Sequence, residues 1–229
     1  MKMSDQLNKS IYSELHFGFF DNILLKKRIE IIKVINDFIS DKNLTDVLDV
    51  GTTNDEKNPS SNVIINNLKK FKIFKSISNQ YIDLKKFNRC LQKSITEDFT
   101  TNEIENFSSD LVISNATIEH VGSKENQSKM IENIIKLSKK YFIIITPNRY
   151  HPIEFHTKIP FIHWFPKSTH RYLLKLIGQK FLSLEENLNL LSKNDFVNFM
   201  ETLNFDNYEI RKINFLFFNS NLIVIGKKN

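Results

Sequence analysis

The chain has 229 residues, 41% hydrophobic and 25% charged, a size and composition that suit one soluble α/β domain with a sizeable core. A net charge of +6 admits an anionic partner, yet the lysines are scattered in ones and twos (Lys26-Lys27, Lys69-Lys70, Lys85-Lys86, Lys139-Lys140). No basic run alternates with aromatics, so a solvated basic surface is expected ahead of a nucleic-acid groove. The lone cysteine, Cys90, excludes an internal disulfide, and with no apolar leader and no bilayer-length apolar stretch the expected compartment is the cytoplasm.

Residues 21–40 space Leu24, Leu25, Ile29, Ile32, Ile35 and Ile39 at helical intervals behind an Asp21 cap, which predicts an amphipathic helix. Residues 44–51 read as a short apolar strand ending in Asp-Val-Gly. A turn-rich loop, 52–59, then leads through Ser60 or Ser61 into a helix reaching Lys70. A second strand is expected over 73–83 and a third, weakly marked, over 93–96. Residues 110–116 read as the clearest fully buried strand, 124–139 as a helix with Met130, Ile131, Ile134 and Ile135 on one face, and 141–146 as another buried strand stopped by Pro147. Beyond it comes a Pro-, His- and aromatic-rich insertion (151–166), a helical stretch (169–177) and a last helix (192–203). Two strands (208–213 and 215–225), able to pair antiparallel, close the chain. Strands alternating with helices imply βαβ units and a mostly parallel sheet. The whole chain, 1–229, reads as one domain with 148–180 as an insertion or cap.

Open α/β sheets bind ligands at the carboxyl ends of their strands, so the chemistry is sought there. The first strand end reads Val47-Leu48-Asp49-Val50-Gly51-Thr52-Thr53-Asn54-Asp55. It resembles motif I of the class I S-adenosylmethionine-dependent methyltransferases, with the acid and first glycine kept and Thr53 and Asp55 standing where two further glycines are usual. The stretch Asp110-Leu-Val-Ile-Ser-Asn-Ala-Thr-Ile-Glu-His-Val121 is similar to the fourth strand and loop of that superfamily. Residues 146–166, with Thr-Pro-Asn-Arg at their start and His-Trp-Phe-Pro at their end, resemble one bacterial subgroup whose first loop also lacks the full glycine motif. The resemblance covers roughly residues 45–191. It implies a Rossmann-like, seven-stranded, mostly parallel sheet with helices on both faces and an insertion after strand five, and S-adenosylmethionine as cofactor.

By position the resemblance places Asp49, Gly51 and Thr53 at the methionyl end of the cofactor, Asp83 on the ribose hydroxyls, Asp98 by the adenine, and Ser114 and Asn115 along the floor near the sulfonium. Methyl transfer to oxygen or nitrogen needs alignment and, where the acceptor must lose a proton, a base. Among His120, His151, Glu154, His156 and His163 the expected base is His156 with Glu154, then His120, which alternatively braces its loop. No metal is expected, because His151 and His156 are separated by Pro152 and do not share a helical face. Phe161, Trp164, Phe165 and Tyr172 form an aromatic patch that either packs the insertion onto the sheet or meets an apolar acceptor or a membrane surface. Tyr12, His16 and Phe19 are candidate lid residues. The acceptor class expected is a small or glycan-like molecule, by analogy with the subgroup. A non-catalytic binding protein of the same fold is the first rival reading and a nucleic-acid methyltransferase the second.

Overall fold

The computed structural model describes residues 18–55, 61–215 and 217–228, with side chains from Leu25 onward. The elements run α1 (Gly18–Ile39), β1 (Asp46–Val50), α2 (Val63–Asn66), β2 (Ile73–Ser78), β3 (Arg89–Gln92), α3 (Thr101–Phe107), β4 (Ser109–Asn115), α4 (Lys124–Leu137), β5 (Ser138–Pro147), α5 (Lys167–Leu176), α6 (Lys193–Thr202), β6 (Tyr208–Phe215) and β7 (Phe218–Lys227). The proposed lid residues Tyr12 and His16, and the side chain of Phe19, lie outside the described residues.

Seven strands form one sheet in the order β3-β2-β1-β4-β5-β7-β6. The first five pair in parallel, and β7 joins β5 antiparallel with β6 beyond it. Strand alternation divides the core between two faces. Leu48, Val112, Phe142, Ile144, Leu222 and Val224 pack with α4 and α6 on one face. Val47, Leu111, Ile113, Ile143, Ile223 and Ile225 pack with α1 and α2 on the other. Because both faces are apolar, these strands read as unbroken hydrophobic runs, as expected for a parallel sheet covered on both sides. On α1, Ile31, Ile35 and Ile39 sit one turn apart and are all buried.

Several boundaries differ from those read in the sequence. The third strand is Arg89–Gln92, not 93–96, and it is a largely exposed edge whose side chains carry little apolar signal. The short helix α3 was not anticipated; Thr100 and Glu103 form a reciprocal capping box at its start. The helix expected to reach Lys70 is a single turn, α2. Asn67 Nδ2 donates back to Val63 O, and the Lys86 ammonium takes Ile65 O, carbonyls that a longer helix would use itself. Strand β2 ends at Ser78, five residues short of Asp83. Among the described residues no helix is long and apolar enough to cross a membrane.

Candidate active site

Strand order reverses between β1 and β4, and the candidate site occupies the carboxyl ends of the strands on either side of that point. After Val50 the chain turns through Gly51, whose φ is +93° and whose N–H donates to Ile77 O at 2.9 Å. Thr117, from the loop after β4, lies against the Cα of Gly51, in the space a side chain would need. The Thr52 hydroxyl donates to Asp49 Oδ2 at 2.5 Å and accepts from Ser76 Oγ at 2.8 Å, and Ser78 Oγ donates to Thr52 O at 2.7 Å. Burial pushes the Asp49 carboxyl up to about 6, against the pull of the Thr52 hydroxyl and the Lys86 charge.

Where further glycines are usual, side chains hold the loop. Asn62, itself left-handed at φ 53°, grips Thr53 at both backbone groups, accepting from its N–H at 3.1 Å and donating to its carbonyl at 2.7 Å. Asp55 Oδ2 accepts from Ser61 Oγ at 3.2 Å. The loop after β2 folds back against this one, the Asp83 N–H reaching Asn54 Oδ1 at 3.4 Å. Asp83 itself is exposed, and the residues directly at the strand end are Ser78, Asn79 and Gln80. Asp98 is not brought to this group: its carboxylate is 89% exposed and paired with Lys129 on α4 at 2.8 Å.

The second half of the site follows β4. Ser114 Oγ donates to Val50 O at 3.0 Å, which ties β4 to the turn; Asn115 is half-buried and Ala116, at φ 52°, is exposed at the mouth. A single 3-10 turn, Ile118–His120, then carries two acid–base side chains. Glu119 is fully buried and its Oε2 accepts from Thr146 Oγ1, at the end of β5, at 2.9 Å. His120 Nδ1 lies 2.6 Å from Asn187 O, which fixes the proton on that nitrogen. Burial first, and then the neighbouring His156, holds the His120 imidazolium below its usual range.

The insertion delivers the partners. The His156 ring meets His120 edge to face with centroids 4.9 Å apart, and its Nδ1 lies 2.6 Å from Glu154 Oε1. Burial alone would raise the Glu154 carboxyl, but the His156 ring and the N–H groups of His156 and Thr157 outweigh it and bring it to about 2. His120, Glu154 and His156 are therefore brought together. Glu119 had been overlooked, although it directly precedes His120. The return leg of the insertion braces this loop: Asn189 N–H donates to Glu119 O at 2.7 Å, and Gln127 Nε2 to Asn189 O at 2.7 Å.

His151 and His163 act within the insertion. His163 Nε2 donates to His151 O at 2.7 Å, and the His151 ring stacks between Phe155 and Phe215. The aromatic patch does not pack onto the sheet: Phe161, Trp164, Phe165 and Tyr172 are 43–61% exposed. A shallow groove lined by Arg89, Cys90, Asn106 and Phe107 lies along the edge strand, apart from these groups.

No protein-family model and no curated protein matches the chain. Solved structures do. The magnesium protoporphyrin IX methyltransferase of Synechocystis PCC 6803, with bound S-adenosylhomocysteine, aligns over 100% of this chain and 95% of its own, with a TM-score of 0.58 and 12% identity. The N-methyltransferase NodS from Bradyrhizobium japonicum WM9 aligns over 90% and 97%, with a TM-score of 0.51 and 8% identity. The methyltransferase domain of bacterial CtHen1 aligns over 88% and 100%, with a TM-score of 0.53 and 12% identity.

The fold is that of the class I methyltransferases. The seven-stranded sheet, its antiparallel end and the helices on both faces agree with the architecture the sequence implied. In this class I methyltransferase fold the Asp49–Gly51 turn and the Glu119–His120 turn stand side by side, joined through Thr117.

Proposed function

We propose that the protein transfers a methyl group from S-adenosylmethionine to an oxygen or nitrogen atom of a small-molecule or glycan-like acceptor. The observation that carries this reading is the juxtaposition just described. A buried acid and a positive-φ glycine occupy the switch point of the sheet, and two histidines and two glutamates gather at the neighbouring strand ends.

The donor set suits the cofactor. Asp49 is a buried carboxylate with one hydroxyl partner, and so is suited to accept from the cofactor's ammonium group. Gly51 and Thr53 shape the turn, Ser114 and Asn115 line the floor, and Asp83 with the Ser78, Asn79 and Gln80 strand end faces the ribose. Asp98, tied to Lys129, is left out of the proposal. When bound, S-adenosylmethionine supplies a methyl group activated on a sulfonium. The chain's own contribution is alignment of the acceptor and removal of its proton by the His156 imidazole, held in one tautomer by Glu154, with His120 beside it.

Calorimetric titration with S-adenosylmethionine and S-adenosylhomocysteine tests the reading, alongside Asp49→Asn and Asp83→Ala. Micromolar binding lost in both variants supports both contacts. Binding that survives Asp83→Ala moves the ribose contact to Ser78, Asn79 and Gln80. No heat and no thermal stabilisation with either ligand would overturn the enzyme reading in favour of a non-catalytic binding protein. The grip of Asn62 on Thr53, which takes up the backbone N–H that a cofactor would otherwise meet, favours that alternative.

A further inference from the structure

Glu119 and His120 come from the loop after β4, and His156 from the insertion. One ligand-competent atom from each lies within 4.8 Å of the other two. Each side chain is also held from behind. Thr146 Oγ1 donates to Glu119 Oε2, the Asn187 carbonyl takes the His120 Nδ1 hydrogen, and the Glu154 carboxylate takes that of His156. In that tautomer each ring carries its lone pair on Nε2. A histidine oriented by a carboxylate or a carbonyl, beside a carboxylate oriented by a hydroxyl, is the arrangement that supports metal ligands.

A second observation is independent of this clustering. Glu119 is fully buried, and its Oε1 has neither solvent nor a hydrogen-bond partner among the described residues. A carboxylate oxygen left so is costly unless something positive meets it. Among the described residues no lysine or arginine satisfies that oxygen, and the two imidazoles lie within 4.8 Å of the carboxylate.

We infer that Glu119, His120 and His156 form a binding site for one divalent transition-metal ion of the Zn2+, Co2+ or Mn2+ type. Two imidazoles and one carboxylate favour such ions over Mg2+ or Ca2+, which prefer all-oxygen ligands. An ion at about 2.0–2.2 Å from each atom holds the ligand atoms roughly 3–4 Å apart, so closure by about an ångström completes the cage. Three protein ligands leave positions open for water or for an acceptor oxygen. The sequence argued against a metal because His151 and His156 do not share a helical face. The present ligands come from separate segments, which no local spacing reveals. The ion site does not depend on the cofactor; with the ion in place His156 is a ligand, and an acceptor hydroxyl bound to the ion loses its proton more readily.

The test uses the full chain in a Cys90→Ser background, because Cys90 is an exposed thiol that would itself bind these ions. After chelator treatment and dialysis, Zn2+ and Mn2+ are titrated calorimetrically without cofactor, and Co2+ is followed by its visible absorption. The inference expects one ion per chain at micromolar affinity or tighter, and a Co2+ spectrum of low-symmetry coordination. It expects Glu119→Gln and His120→Asn to weaken binding by well over ten-fold, and Glu154→Gln, which changes the group behind His156, by roughly 10–100-fold. Where a ligand variant does not fold, Thr146→Val, which removes only the hydroxyl behind Glu119, gives the reading through a loss of about ten-fold. Absence of binding, or binding that no variant changes, overturns the site and assigns any heat to surface carboxylates. Cofactor titration of the same metal-free samples keeps the two readings apart, since either can fail while the other stands.

Discussion

Thr117 fills the volume that a side chain on Gly51 would occupy: a Cβ built on Gly51 falls 2.1 Å from Thr117 Oγ1 and 2.7 Å from its Cγ2. The glycine is thus required by the neighbouring strand's loop as well as by its φ of +93°. Gly51→Ala is expected to destabilise the fold by about 2–4 kcal/mol and to abolish cofactor binding. Adding Thr117→Gly removes the collision but not the backbone strain, so the double variant should recover only part of the loss in denaturant melts. Full recovery, or none, would contradict this division of the cost.

On the proposed function, Asp49 should make cofactor affinity depend on pH. Its carboxyl, raised to about 6 in the fold, binds protons that the unfolded chain releases. Its contribution to stability therefore falls as pH rises from the unfolded value through about 6, by about 3 kcal/mol at most, and is flat above. An ammonium group pairs only with the ionised form. Affinity for S-adenosylmethionine should rise up to about ten-fold per pH unit below 6 and level off above it, with a proton released on binding. Asp49→Asn should bind weakly at every pH and, without ligand above pH 6, melt higher than the parent. A variant with the parent's pH profile would show that Asp49 does not face the cofactor.

His170 works in the opposite direction. Buried in α5 with no hydrogen bond to Nε2 among the described residues, it is pushed down to about 4, chiefly by burial, with Glu154 pulling the other way and His163 adding to the shift. A histidine held neutral contributes stability that is complete above its unfolded value and is lost as pH falls through that value toward 4. His170→Leu should accordingly shrink the drop in melting temperature between neutral pH and pH 5 while leaving the neutral melt little changed. An unaltered acid slope would place the titration elsewhere.

At the far end of the sheet Lys75 Nζ lies 2.9 Å from Asp46 Oδ2, both side chains buried, and donates to Ser108 O at 2.7 Å. Asp46 in turn accepts the Asp110 N–H at 2.8 Å. Burial works to raise the Asp46 carboxyl, yet that N–H and the Lys75 ammonium hold it below its usual range. Lys75→Met should cost about 3–5 kcal/mol, since it strands a buried carboxylate. It should lower the melting temperature by roughly 10 °C. Cofactor affinity should not change, the ion pair lying at Asp46, the amino end of β1, away from the carboxyl ends of the strands. Lys75→Met with Asp46→Asn should regain much of the loss.

What the sequence reveals follows from where each element is buried. Val47 to Val50, Leu111 to Ser114 and Phe142 to Thr146 are covered on both faces, so their apolar runs announce them. Arg89 to Gln92 form a largely exposed edge, and four residues of which only Cys90 and Leu91 are apolar cannot signal a strand. Thr100 and Glu103 cap α3 in the fold, but a seven-residue helix offers too little periodicity to be read from the sequence. At the site, Asp49 and Gly51 are local and legible. The meeting of His120 with His156 is not, because it depends on how the insertion folds back. Glu119 was masked by its neighbours, since an acid between Ile118 and His120 looks like an ordinary exposed residue.

The excursion that carries Glu154 and His156 leaves and rejoins the sheet at one place. Asn148 bridges Leu191 in parallel, and the Arg149 N–H donates to Leu191 O at 2.9 Å. A segment whose two ends are neighbours is a cassette: it can lengthen, shorten or be exchanged between relatives while every strand keeps its partners. On the proposed function, acceptor preference would then be inherited separately from the scaffold, and grafting residues 149–190 onto another sheet of this order would carry it across.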